Sequence, residues 1–244
     1  MTARGGETRN LILGGAISVV QPQNGYRFSV DSVLLARFAA ARSRDRVLEL
    51  GAGCGVIAMI IAATANPRQI VAIEIQPEMA ELAKRNARAN GFENLDCICA
   101  DLRARKIPEV SPASFDLVVA NPPFHARNAG QESPDRSRRL ARGGAGASMV
   151  EFVAAARRHV RNGGRVAMVF AASRSAELIS TLREHRLEPK RIRFVHPRVG
   201  LPAASVLLEA RANGGVEVVV APPLILEELT GVYTEEARSI LERL

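Results

Sequence analysis

Three observations predict an α/β fold, a mostly parallel sheet with helices on both faces. Apolar runs of strand length alternate with segments of helical periodicity from Val47 to Phe170. The first run, Val47 to Leu50, leads straight into a glycine-rich turn, Gly51-Ala52-Gly53-Cys54-Gly55. The fourth, Phe115 to Ala120, ends in Asn121-Pro122-Pro123-Phe124. Ligands of open α/β sheets bind beyond the carboxyl ends of the strands, where the strand order reverses. A glycine turn and a proline-stiffened polar loop at two such ends therefore mark one candidate site.

The elements follow in order. Gly14 to Val20 reads as one arm of a short hairpin with Tyr26-Arg27-Phe28, and Val30 to Ala41 as a helix with Val33, Leu34, Arg37 and Phe38 on one side. Val56 to Thr64 is apolar nearly all round, as a helix buried beside a sheet would be. Strand two is Ile70 to Ile75. Pro77 opens the next helix, which carries Met79, Leu82, Ala83 and Asn86 at helical spacing and stops at Asn90-Gly91. Leu95 to Ala100 is strand three. Residues 126–146 lack periodicity and are rich in arginine, so they read as a mobile loop over the site that orders with substrate. Ser148-Met149-Val150-Glu151 spells a capping box opening a helix through Val160. Gly163-Gly164 turns into strand five, Arg165 to Phe170, and Arg174 to His185 is helical. Ile192 to His196 and Ser205 to Ala210 read as an antiparallel closing pair, Val216 to Val220 as a short strand, and Thr234-Glu235-Glu236 as the start of a terminal helix.

A chain of 244 residues with 47% hydrophobic content can bury a core of its own. It reads as one domain over 1–244: an N-terminal extension at 1–42 packing near the site, a catalytic core at 43–210, and a C-terminal strand and helix at 211–244. Met1 to Asn10 is polar and Leu11 to Val20 too short and glycine-broken for a membrane span, so a cytoplasmic protein is expected, with no membrane partner. Cys54, Cys97 and Cys99 lack metal-site spacing; they read as buried thiols, and no metal is expected. The net charge of +8 favours a polyanionic partner, and arginines crowd the stretch after Phe124 (Arg127, Arg136, Arg138, Arg139, Arg142).

The glycine turn excludes two common nucleotide sites. A dinucleotide fingerprint wants G-x-G-x-x-G, whereas the third glycine here comes one residue early, and no Gly-Lys-Ser/Thr follows for a P-loop. The pattern from Glu49 through Gly51, Gly53 and Gly55 resembles the first motif of class I S-adenosylmethionine-dependent methyltransferases, a Rossmann-like fold with a mostly parallel seven-stranded sheet and an antiparallel closing strand. That resemblance implies S-adenosylmethionine as cofactor. It also implies that Glu49 and the Gly51, Ala52, Gly53 and Gly55 backbone face its methionine part. Glu74, with Ile75, would accept from the ribose hydroxyls, and Asp101, with Leu102, would lie at the adenine.

The Asn121 loop suits a planar NH2 acceptor. Pro122 holds Asn121 extended, so that an amide, a backbone carbonyl and the Phe124 ring converge. A conjugated amine is a poor nucleophile because its lone pair is delocalised. Accepting hydrogen bonds from it, by the Asn121 side-chain oxygen and the Pro122 carbonyl, shifts the nitrogen toward tetrahedral geometry and stabilises developing positive charge. Methyl transfer is then an in-line displacement that needs alignment and no strong base. Phe124 would stack on the planar group, worth roughly 1–3 kcal/mol per base. Asn121, Pro122 and Phe124 are thus the catalytic candidates, with Pro123, Phe124, Arg127, Arg138 and Arg139 toward substrate; Asn121 also borders the cofactor.

Taken together these segments resemble the amino-group methyltransferases with an Asn/Asp-Pro-Pro-aromatic motif. Phe28 to Leu35, Leu187 to Pro197, Pro222-Pro223-Leu224 and Gly231 to Thr234 extend the resemblance to the bacterial tRNA1(Val) adenine-N6 methyltransferase group. It implies a monomeric or homodimeric enzyme acting on an anticodon-loop adenine of a tRNA, with Phe28 to Asp31 closing over the cofactor. Phe124 stands where adenine-specific members often have tyrosine, so guanine-N2 transfer to RNA stays open. So does methylation of a protein glutamine, although such enzymes usually carry an N-terminal helical domain. A non-catalytic RNA-binding module is a third reading, and binding of S-adenosylhomocysteine discriminates it.

Overall fold

The computed structural model describes residues 5–24, 27–123 and 147–243. In chain order its elements are β1 (Glu7–Ile12), β2 (Ile17–Pro22), α1 (Val30–Phe38), β3 (Arg46–Leu50), α2 (Val56–Ala65), β4 (Gln69–Glu74), α3 (Pro77–Ala89), β5 (Leu95–Cys99) and β6 (Phe115–Ala120). There follow α4 (Met149–His159), β7 (Val160–Ala171), a 3-10 turn at Ala172–Arg174, α5 (Ser175–Glu184), β8 (Leu187–Arg198), β9 (Ser205–Ala212), β10 (Val219–Val220), β11 (Leu224–Glu227) and α6 (Glu235–Glu242).

A nine-stranded sheet runs β10-β8-β9-β7-β6-β3-β4-β5, with β11 also on β8. The seven strands β3 to β9 form its body; β10 and β11 are short parallel additions on the outer edge of β8. β3 lies between β4 and β6, parallel to both, so the strand order reverses beside β3. β9 alone runs against its neighbours β7 and β8, the antiparallel closing strand the sequence predicts.

Period-two alternation distributes the strand side chains between two cores. Val47, Leu117 and Val119 face α1, α2 and α3, and Ile240 and Leu241 of α6 close that side. Leu48, Leu50, Val118 and Ala120 face Phe152, Val153 and Ala156 of α4 and Leu178 and Leu182 of α5. Helix α2 is buried from Val56 to Ala62, which accounts for its lack of a polar stripe.

Several expectations are corrected. The hairpin partner of β2 is Glu7–Ile12, with the turn at residues 13–16; Arg27 and Phe28 are in no strand, and Tyr26 lies outside the described residues. Helix α1 ends at Phe38 rather than Ala41. Val160 leaves the helix in an extended conformation and starts β7, whose register with β6 slips between the Phe115 and Leu117 pairings to absorb Gly163-Gly164. Helix α5 begins after the 3-10 turn, and of Val216–Val220 only Val219 and Val220 pair. Cys99 is exposed, unlike Cys54 and Cys97. Among the described residues no helix is long and apolar enough to cross a membrane.

Candidate functional site

Leu50 pairs with Ala120 across the parallel β3–β6 ladder and with Ile73 across β3–β4. The next residues, Gly51 and Asn121, therefore leave the sheet side by side next to Glu74, the last residue of β4, about 5 Å from strand to strand. This is the reversal point of the sheet.

The glycine turn is held from every side. Gly51 N and Ala52 N both donate to Ile73 O at 2.9 Å, Gly53 N to Glu74 Oε2 at 2.8 Å, and Gly55 N to Ala52 O at 2.8 Å. Glu74 Oε1 also accepts from Gln76 N at 3.0 Å, so one carboxylate ties the turn after β3 to the turn after β4. At Gly55, with φ of 82°, a Cβ would lie 3.1 Å from the Ala83 Cβ, so α3 packs against bare backbone there. Gly53, with φ of 56°, has nothing within 4 Å of a built Cβ and leaves its backbone open to a ligand.

Beside the turn is a narrow cleft lined by Phe28, Ser32, Glu49, the Gly51 to Cys54 turn, Met79 and Asn121. Glu49 is 1% exposed and accepts from Ala58 N at 2.9 Å. Burial lifts its carboxyl from 4.5 to about 8, opposed by the Ala58 hydrogen bond and reinforced by the Glu74 charge. It is a neutral acid at pH 7. The Cys54 thiol is pushed up to about 12 by burial and by Glu49, so it is no nucleophile.

Asn121 is half-buried, and its Nδ2 donates to the Ser32 hydroxyl on α1 at 3.2 Å. Helix α1 is in turn tied to β9 by Ser205 Oγ donating to Asp31 Oδ1 at 2.9 Å. Phe28 N donates to the buried Gln21 side chain at 3.3 Å, which links the entrance to the hairpin. Pro122 is buried and Pro123 exposed.

Glu49, Gly51, Ala52, Gly53 and Asn121 thus converge on one cleft, with Glu74 and Gly55 bracing it from behind. Ile75 is half exposed beyond it, and Leu102 is buried in the second core. Asp101 stands further along the same strand ends, bound by the Arg103 guanidinium at 2.7 Å and by Arg103 N at 2.8 Å; these contacts hold its carboxyl below the usual range. Phe124, Arg127, Arg138 and Arg139 lie outside the described residues. Ser32 and Met79 are lining residues that the sequence reading did not single out as site residues. A hydroxyl inside the apolar run Val30 to Ala36 was the available signal for Ser32, whereas Met79 read as an ordinary helix core position.

The cleft brings the open Gly53 backbone and the Asn121 amide to one place. Among the described lining residues there is no ionised nucleophile, which suits chemistry by alignment.

A family model described as "Methyltransferase small domain" matches residues 28–187. A Flavobacterium johnsoniae protein named tRNA1(Val) (adenine(37)-N6)-methyltransferase is 29% identical over 223 residues, 90% of this chain and 92% of its own. An Aeromonas hydrophila protein of the same name is 27% identical over 210 residues, 86% of each chain. Among solved structures, an Agrobacterium tumefaciens protein described as a predicted O-methyltransferase superposes with a TM-score of 0.69 at 24% identity, covering 86% of this chain and 94% of its own.

Proposed function

The chain belongs to the methyltransferase small-domain family, and from that membership we propose that it methylates an exocyclic base amine of RNA, adenine N6 of a tRNA, with S-adenosylmethionine as donor. The names of the relatives support the acceptor. The observation that carries the reading is the placement of Asn121 beside the glycine turn on neighbouring parallel strands.

The residues present fit that cofactor. The open backbone at Gly53 admits a close approach, and the neutral Glu49 carboxyl can ionise against an ammonium. Glu49 with Gly51, Ala52, Gly53 and Gly55 would hold the methionine part. Glu74 with Ile75 would take the ribose through Oε2, which keeps a second acceptor site beside its bond from Gly53 N, whereas Oε1 already accepts from both the backbone and the side chain of Gln76. Asp101 with Leu102 would flank the adenine. When bound, the cofactor supplies an electrophilic methyl on a sulfonium.

The acceptor side rests on Asn121. With its NH2 turned to Ser32, its amide oxygen is the group that would take one hydrogen of the base amine, and the Pro122 carbonyl the other. Two neutral oxygens would polarise the amine and stabilise the cation formed as the N–C bond closes and the donor's S–CH3 bond breaks to leave a neutral thioether, the surplus proton on nitrogen then passing to water. Phe124 would stack on the base, and Pro123, Arg127, Arg138 and Arg139 would face the RNA. Residues 1–244 then act as one domain, the extension 1–42 contributing Phe28 and Ser32 to the cleft.

Labelled S-adenosylmethionine offered with tRNA, and separately with rRNA, tests this. Label in N6-methyladenosine from tRNA is expected. Label in N2-methylguanosine moves the acceptor to guanine, and label in protein alone overturns the RNA reading.

A further inference from the structure

The side chains of Asn86 on α3 and of Asn90, the C-cap residue one turn on, close the outer edge of the N-terminal hairpin as a missing strand would. Asn90 Oδ1 accepts from Ser18 N at 2.8 Å while its Nδ2 donates to Ser18 O at 2.9 Å. Asn86 repeats the pattern one step along β2: Oδ1 accepts from Val20 N at 3.0 Å and Nδ2 donates to Val20 O at 2.8 Å. Alternate residues of a strand present their backbone groups to the same side, so a pair of asparagines at i, i+4 can satisfy both.

The two residues differ in one respect. Asn86 is completely buried, and the second hydrogen of its Nδ2 goes to Cys54 O at 2.9 Å, inside the glycine turn. Asn90 Nδ2 also reaches Asn86 O at 2.8 Å and Met59 Sδ on α2 at 3.6 Å, and makes no bond to the glycine turn. Neither residue touches the cleft.

We propose that Asn86 is a positioning residue for the cofactor, joining the β1–β2 hairpin and the glycine turn through one amide so that hairpin docking and the ligand-ready turn are a single event. Removing the amide leaves Cys54 O, Val20 N and Val20 O buried without partners, and the turn loses the only support that comes from α3 through a side-chain hydrogen bond among the described residues. The hairpin also carries Gln21, whose side chain accepts from Phe28 N at the cleft entrance, so the same link reaches both sides of the ligand. This inference rests on the reading that the cleft takes S-adenosylmethionine.

The test compares Asn86→Ala with Asn90→Ala, well below the melting temperature of each. Asn86→Ala should raise the S-adenosylhomocysteine Kd about tenfold, the scale of one buried hydrogen bond left unmade, with kcat at saturating cofactor within about twofold. Asn90→Ala should speed hydrogen exchange over residues 17–22 and leave Kd within about twofold. Equal changes in Kd, or lowered melting temperatures with unchanged Kd, would mean that both residues serve stability alone and would overturn the proposal. A second measurement needs no variant: in the unmutated protein, saturating S-adenosylhomocysteine should slow exchange of the Val20 amide as well as the turn. Protection confined to residues 51–55 contradicts the coupling, whereas failure of the unmutated protein to bind S-adenosylhomocysteine contradicts the cofactor reading instead.

Discussion

Glu49 holds a proton in the folded, unliganded protein between its unfolded value of 4.5 and its folded value of about 8. The raised value means that its contribution to stability is full below about pH 4.5 and is lost as pH rises through about 8. A cationic ligand at the cleft floor reverses the preference and drives the carboxyl to ionise. Cofactor binding at pH 7 should therefore release up to about one proton, and calorimetry in two buffers of different ionisation enthalpy should show it. Buffer-independent heats would remove Glu49 from the ligand. Asn121 gives a second prediction at this scale: Asn121→Ala should lower kcat by about 10²-fold or more while the S-adenosylhomocysteine Kd moves only a few-fold. Comparable losses in both would deny the division between donor and acceptor residues. Glu74 and Asn121 were readable in the sequence because each sits at the end of an apolar run, and Glu49 because it is an acid inside one, just before the glycine turn. The Ser32 contact joins residues far apart in the chain, and the Arg103 clasp on Asp101 depends on a local turn, so spacing announced neither.

At the scale of elements, helix α4 shows how far local chemistry reaches. The capping box expected from Ser148 and Glu151 is present in both directions, Ser148 N donating to Glu151 Oε2 at 2.7 Å and Glu151 N to Ser148 Oγ at 3.3 Å. Ser148→Ala should cost about 1 kcal/mol in chemical denaturation, with unchanged cofactor affinity. A change within error of zero would show that packing of Phe152 and Val153 holds the helix alone. The hairpin shows the converse. β1 is a polar strand, Glu-Thr-Arg-Asn, half in solvent, and its Glu7 pairs with Arg85 of α3 at 2.6 Å. No apolar alternation marks such an edge, so the sequence pointed past it to Tyr26-Arg27-Phe28. β10 is present but shorter than the sequence pattern suggested. Val216 to Val220 has strand composition, but Glu217 has φ of 117° and only Val219 and Val220 reach β8, opposite Arg191 and Ile192.

For the molecule as a whole, strand order decides where chemistry can occur. That order followed from the resemblance; the strands β3, β4 and β6 were legible as buried apolar runs of the length a parallel sheet needs, and β5 by its half-buried alternation. The two short strands on β8 were not, since they depend on where a long C-terminal segment happens to meet an edge. The net charge of +8 belongs to this scale too. If RNA is the acceptor, its binding should weaken with salt, with a log–log slope of about −0.7 per single-strand phosphate contacted, while cofactor affinity should change little. A salt-independent RNA KM would argue for a compact, uncharged acceptor.

The central claim, that a donor methyl and a base amine meet between Gly51 and Asn121, is tested most directly by nucleoside mass spectrometry. Total tRNA incubated with isotopically labelled S-adenosylmethionine would be analysed with the unmutated protein and with Asn121→Ala. Label in N6-methyladenosine is expected for the first and its near-complete loss for the second, with S-adenosylhomocysteine binding retained. Label absent from every nucleoside although cofactor binds, or undiminished by Asn121→Ala, would contradict it.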